Sequence, residues 1–285
     1  MANNIDYAKK YLPIVDEIFR QNSLTADLLG GSAVVQEAQN VGEVNIMKVD
    51  VQGMGDYDGK YAENDTNLHF ETVKYDKQRS AQIKIDRIVN AQTMDKAFAE
   101  AINTLMKKHC IPESDSARIA NLVQKGKTRK EEDLTTGEEV VAALRACTLA
   151  MDNDEVPYED RILYITPTLY GLIEDMDSYK SKAVLDRFAK KVIVPPSRMY
   201  SAIELKAGTA ENGFGYRKAE GAKDVNFVCV YRPSVIADTK EWLKYFTPEQ
   251  NLNSDDHLFQ VRNFNLYGYV YENQLASVYS SITTV

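Results

Sequence analysis

Val44-Asn45-Ile46-Met47-Lys48-Val49-Asp50-Val51, then Gly53-Met54-Gly55-Asp56-Tyr57-Asp58-Gly59-Lys60, then Leu68-His69-Phe70-Glu71-Thr72-Val73 is the stretch on which the fold turns. Residues 41 to 52 read as a strand. Val44 and Ile46 share one face, and Val49 and Val51 resume after a one-residue phase slip at Met47-Lys48, which predicts a bulge. The run of glycines and acids up to Thr66 predicts a mobile, exposed loop. Leu68 to Val73 reads as the returning strand. About fourteen residues join the two strands, which is long for a compact domain, and such loops are functional or disordered. Both strands are only half apolar. That fits a long hairpin projecting from a body rather than one buried in it.

Working outward, a third run alternates Ala81, Ile83 and Ile85 with Gln82, Lys84 and Asp86, which predicts another half-buried strand. Met94, Phe98, Ala101, Ile102 and Leu105 then line one face of a helix reaching Cys110. Ile111-Pro112 interrupts it, and Pro112 suits the opening of a second helical segment, Glu113 to Gln124, with Ile119, Leu122 and Val123 inward. Before the hairpin, Tyr11, Ile14, Val15, Ile18 and Phe19 recur at helical spacing, and Ser23-Leu24-Thr25 and Gly30-Gly31 break the pattern. This segment is either a small helix docked on its own domain or an arm reaching a neighbouring subunit.

Further along, Lys125 to Asp133 reads as a charged loop, and Thr135 with Glu138 has capping-box spacing. A helix carrying Val140, Leu144, Cys147 and Met151 follows. Ile162 to Thr166 predicts a short buried strand ended by Pro167, then a helix from Thr168 to Glu174. Lys191 to Pro195 reads as a strand, and residues 207 to 223 as a flexible loop. Val225 to Val230 is the most apolar strand. Polar turns follow Leu243. Two strand-like runs, His257 to Asn263 and Tyr267 to Tyr271, precede a small tail, Leu275 to Ile282. The fold class is therefore α+β.

The 285 residues suffice for one large domain or two medium ones, and 44% hydrophobic with 27% charged is a globular composition. No apolar run approaches the roughly 18 residues that span a membrane, and the first residues carry no signal-peptide pattern. Cys110, Cys147 and Cys229 form no CxxC pair and read as core filling in a reducing compartment. A net charge of −8 weighs against a protein that grips nucleic-acid phosphates, though not against a container for nucleic acid.

Signatures of catalysis fail on spacing. Gly126-Lys127-Thr128 resembles the end of a phosphate-binding loop, but Asn121 stands where its first glycine belongs and a helix precedes it. Gly53, Gly55 and Gly59 do not have dinucleotide spacing. Asp56 and Asp58 hint at a calcium loop, but Lys60 occupies a ligand position. His69, His109 and His257 have no metal-like partner at helical or strand spacing, and His109 falls late in a helix, where a cation suits the dipole. No cofactor, metal site or catalytic residue is expected.

Four stretches in fixed order carry a resemblance. They are Tyr11-Leu12-Pro13-Ile14-Val15-Asp16-Glu17 with Ser23-Leu24-Thr25, and the hairpin with Gln82-Ile83-Lys84-Ile85-Asp86 and Ile111-Pro112-Glu113-Ser114-Asp115. Asp160-Arg161-Ile162-Leu163-Tyr164-Ile165-Thr166-Pro167 is the third. Val225 to Val230 with Ala237-Asp238-Thr239-Lys240 and Gly268-Tyr269-Val270-Tyr271-Glu272-Asn273 is the fourth. The chain resembles the major capsid proteins of tailed bacteriophages, which share the Hong Kong 97 fold, most closely those of phages of low-GC Gram-positive bacteria.

The resemblance implies an N-terminal arm (1–40), an extended loop over a neighbouring subunit (41–90), a peripheral domain with a spine helix (91–125 and 251–285) and an axial domain (126–250). It implies inter-subunit contacts through Tyr11, Ile14 and Phe19 of the arm and Met54, Tyr57, Lys60 and Tyr61 of the loop. The implied partners are copies of itself in hexamers and pentamers, a separate scaffolding protein, a portal and packaged double-stranded DNA, with no membrane. The implied location is the virion, after assembly in the bacterial cytoplasm. Some members join subunits by a lysine–asparagine bond. Lys60, Asn263 and Asn265 are the residues placed for it, and the sequence identifies no buried carboxylate to assist. The rivals are an encapsulin-like compartment shell, an α+β enzyme, and a tail or neck component.

Overall fold

The computed structural model describes residues 23–29, 35–37, 42–55, 57, 66–88, 96–176, 178–209, 211, 213–251 and 254–284. The first part holds strands β1 (Val35–Glu37), β2 (Glu43–Val51), β3 (Thr66–Lys74) and β4 (Lys77–Asp86), then helices α1 (Lys96–Leu105) and α2 (Ile111–Lys125). Next come β5 (Thr128–Glu131), α3 (Gly137–Asn153), β6 (Arg161–Ile165), α4 (Pro167–Met176), α5 (Tyr179–Leu185) and β7 (Lys190–Ile193). The remaining strands are β8 (Ile203–Leu205), β9 (Tyr216–Lys218), β10 (Val225–Tyr231), β11 (Val235–Phe246), β12 (Asp256–Val270) and β13 (Val278–Ile282).

A five-stranded sheet in the order β5-β13-β10-β6-β7 is covered on both faces. Alternate residues feed opposite cores. Ile162, Tyr164, Val228 and Val230 pack with Ile119, Leu122 and Val123 of α2. Leu163, Ile165, Phe227 and Cys229 pack with Val140, Leu144, Cys147 and Met151 of α3 and Ile173 of α4. Burial on both faces explains why β6 and β10 read as continuous apolar runs. Each such fully buried aliphatic chain stabilises the body by roughly 1.5–3 kcal/mol.

A second sheet, β11-β12-β4, turns Ala81, Ile83, Ile85, Phe259 and Val261 onto Ile102, Met106 and Ile111. The third, β1-β2-β3, is the long hairpin.

Several expectations need correcting. The phase slip in β2 is not a bulge, because pairing with β3 runs unbroken from Glu43 opposite Lys74 to Val51 opposite Thr66. The apolar residues change face instead: Val44 and Ile46 point one way, Val49 and Val51 the other. Ile111-Pro112 does not break the helix. One π turn, Met106–Cys110, joins α1 to α2. Proline at position 112 supplies no N–H and crowds the carbonyl four residues back, and a widened turn accommodates both. His109 therefore sits mid-helix, not near an end.

The capping box is Thr136 with Glu139, one residue beyond the expected pair. The charged stretch 125–133 contains β5, and the stretch 207–223 contains β9. β11 runs past Leu243 to Phe246, and the two runs after it are one strand, β12. The expected tail, Leu275 to Ile282, holds β13, which sits inside the five-stranded sheet between β5 and β10. Gly126 ends α2 in an extended conformation where an added Cβ would come within 2.9 Å of the Val278 carbonyl.

Candidate functional site

The hairpin is fixed at its root. Val44 and Ile46 are buried against Ile236 and Leu266 of the second sheet, with Tyr75, Tyr269 and Tyr271 around them. Lys48 forms an ion pair with Glu71, whose carboxylate also accepts a hydrogen bond from Tyr269 Oη at 2.6 Å. The Glu71 contact, then Tyr269, holds the Lys48 ammonium above its ordinary pKa, and the Lys48 contact holds Glu71 below its own. Tyr75 donates to Asp238, and the Asp76 carboxylate accepts from the Tyr267 N–H at 2.8 Å.

Beyond the root the hairpin is bare. Val49, Val51, Leu68 and Phe70 are about half exposed, and Met54 is fully exposed. Cross-strand register puts Val49 opposite Leu68 and Met47 opposite Phe70, so these residues form one apolar face. Tyr57 is also exposed. Of the expected contact residues, only Met54 and Tyr57 are described; Tyr11, Ile14, Phe19, Lys60 and Tyr61 lie outside the described residues.

Residues 23–25 are anchored by a carboxylate. Asp115 on α2 is fully buried. It accepts from Ser23 Oγ at 2.6 Å, Thr25 Oγ1 at 2.6 Å, the Leu24 N–H at 3.1 Å and Arg198 at 2.9 Å. Arg118, one helical turn on and equally buried, donates to Thr25 Oγ1 at 2.9 Å and to Thr239. Burial pushes the Arg118 guanidinium down from its ordinary value, and Asp115 opposes that. The buried Asp115 charge is tolerated because these donors occupy both of its oxygens.

Asn263 and Asn265 are buried in β12. Asn263 Nδ2 lies 3.5 Å from Oε1 of Glu241, a partly exposed carboxylate opposite it on β11. Across β4, Arg79 forms a forked pair with Glu113 at 2.6 and 2.9 Å. Cys110 lies beside them, with its thiol pushed up to about 12 by burial and by Glu113. Among the described residues no group of three or more His, Cys, Asp or Glu could hold a metal ion. Cys147 and Cys229 are buried core residues.

Sequence reading also missed the outer face of the second sheet. Register sets Gln78, Ser80, Gln82 and Lys84 of β4 beside Phe264, Arg262, Gln260 and Leu258 of β12. Those lie beside Lys240, Trp242, Lys244 and Phe246 of β11. These twelve positions include four cations and no carboxylate, in a chain with 42 acids. The Trp242 ring packs edge-on against Phe264 at 4.6 Å, and the Arg262 guanidinium covers Phe264 at 4.8 Å. A groove of about 730 Å³ borders this face between Gln82, Trp242, Gln260 and the exposed Phe214. The alternation was visible in β4 but not in β11, which sequence reading did not identify as a strand.

No family model and no curated protein sequence matches the chain. Solved structures do. The head structure of Helicobacter pylori bacteriophage KHP40 aligns with TM-score 0.57 and 11% identity, over 92% of this chain and 90% of that one. The virus-like particle from Pyrococcus furiosus aligns with TM-score 0.55 and 9% identity, over 97% and 99%. The capsid of Myoviridae phage XM1 aligns with TM-score 0.54 and 11% identity, over 89% and 90%. These likenesses show the fold. The α+β fold of this chain is the one seen in these phage capsid structures and in the Pyrococcus particle.

Proposed function

We propose that this chain is the major capsid protein of a tailed phage, assembling as hexamers and pentamers into an icosahedral shell around double-stranded DNA. The observation that carries the reading is the hairpin: anchored at its root, apolar on one distal face, and with that face about half exposed among the described residues. Unpaired apolar surface at the end of a projecting element marks an interaction site. Residues 1–40 act as the arm and 41–90 as the loop over a neighbour. Residues 91–125 and 251–285 form the peripheral domain, and 126–250 the axial domain; β13 adds its strand to the axial sheet. Tyr11, Ile14, Phe19, Met54, Tyr57, Lys60 and Tyr61 make contacts between copies. A separate scaffolding protein and a portal take part in assembly. The work is mechanical: many identical contacts sum to contain the genome, yet each can rearrange.

Electron microscopy of the protein expressed with and without its neighbouring genes tests this. Closed shells or ring-shaped capsomers are expected; a monomer or dimer under every condition overturns it. A compartment shell of encapsulin type is the second reading, favoured by the near-complete overlap with the Pyrococcus particle. Double-stranded DNA inside native particles supports the phage head, and a protein cargo supports the compartment.

A further inference from the structure

A cavity of about 370 Å³ lies beside β4, between the inner face of the second sheet and the helical segment that carries the π turn. Ala81 and Ile83 of β4 and Val261 of β12 form one wall, and Leu105 and Cys110 the other. The exposed ring of Phe214 borders this cavity and the outer-face groove alike. His109 and Cys110, both in its lining, belong to the π turn, and such turns are frequent at functional sites.

Two features of the lining select what can fill it. The first is charge. Arg79 holds both Glu113 oxygens, and it also donates to the Lys206 carbonyl at 2.7 Å and the Gly215 carbonyl at 3.4 Å. The pair is neutral as a unit and its strong bonds are already made, so it leaves no charge to hold an ion. The second is Asn263, a lining residue that is only 6% exposed. An ionised carboxylate can only accept, so Glu241 fixes the amide with Nδ2 toward itself. Oδ1 is left on the other side, buried and with no donor among the described residues. A buried carbonyl oxygen favours a donor.

We infer that this cavity binds a small neutral molecule with an apolar ring and one N–H or O–H donor. The ring packs against Ala81, Ile83, Leu105 and Val261, and the donor bonds Asn263 Oδ1. Cavities of this size take small organic molecules. The site lies within one chain, so it stands or falls independently of the shell reading. Occupancy ties the π turn to the second sheet and stabilises the folded chain by mass action.

The probes are indole, which has one N–H, and indene, which has nearly the same shape without it. The readout is Cys110, a partly exposed thiol where Cys147 and Cys229 are fully buried. Burial holds the Cys110 thiol up at about 12, so its alkylation by iodoacetamide is followed at alkaline pH by peptide mass. On the full chain, indole should slow this alkylation, with half-protection at a concentration about tenfold below that of indene. Asn263→Leu should raise the half-protecting concentration of indole to that of indene. Phe214→Ala, at an exposed position, should weaken both probes alike, because it removes apolar wall and leaves the acceptor in place.

If neither probe protects Cys110 in wild type, the cavity is not a ligand site and the inference is overturned. Equal protection by indene and indole also overturns it, since Asn263 then plays no part in recognition. Should Asn263→Leu fail to fold, the comparison of the two probes on wild type and on Phe214→Ala decides the matter alone.

Discussion

Asp115 shows how much a single side chain can organise. Its carboxylate gathers donors from residues 92 positions earlier and 83 positions later in the chain. Replacing it with alanine leaves Arg118 buried without its counter-charge, and should cost about 3–5 kcal/mol of stability by chemical denaturation. Little of this was legible. Ser23-Leu24-Thr25 reads as a helix breaker, because nothing local tells a capping hydroxyl from one that reaches across the fold. Gly126 is similar: Gly126-Lys127-Thr128 looked like a fragment of a phosphate loop, whereas the glycine is there because β13 passes too close for a Cβ. Gly126→Ala should cost about 1–3 kcal/mol, visible as a lowered melting temperature. The capping box was legible to within one residue, since Thr135 and Thr136 each stand three before a glutamate and only the chain path separates them.

At the scale of elements, the hairpin, the buried strands β6 and β10 and the long helix could be read from periodicity, because each carries its own pattern. β5 and β13 could not. Thr128–Glu131 has no apolar alternation, as an outer strand needs none, and Ser280-Ser281 disguise a strand buried by its neighbours. The face change in β2 was seen but misassigned, since a bulge and a switch of partner leave the same trace in sequence.

The root pair gives the hairpin a pH dependence. Glu71 has a lowered folded pKa, so its contribution is complete above the ordinary value of 4.5 and is lost as pH falls through the lower folded value. Lys48 has a raised one, so its contribution is complete below 10.5 and is lost as pH rises through the higher folded value. The root should therefore loosen in acid. Hydrogen exchange over residues 43–51, corrected for intrinsic rates, should show this loss in wild type and not in Glu71→Gln. Val49→Asp with Leu68→Asp should leave the melting temperature nearly unchanged, because both residues are exposed, yet abolish particles on sedimentation.

At the scale of the molecule, the α+β class was legible, while the cation-bearing outer face of β11-β12-β4 emerged only from strand register. Deleting residues 1–22 tests the proposed arm. Ser23, Leu24 and Thr25 keep their bonds to Asp115, so the truncated subunit should keep its circular dichroism spectrum while its particles break at lower denaturant than wild type.

The position of β13 has a consequence for synthesis. The strand that pairs with both β5 and β10 is made after everything else in that sheet. Until residues 278–282 leave the ribosome, β5 has no partner and the sheet stays open along β10. A product lacking those residues therefore cannot complete this sheet. Under the proposed shell role, a chain short of β13 has no finished body to offer its neighbours.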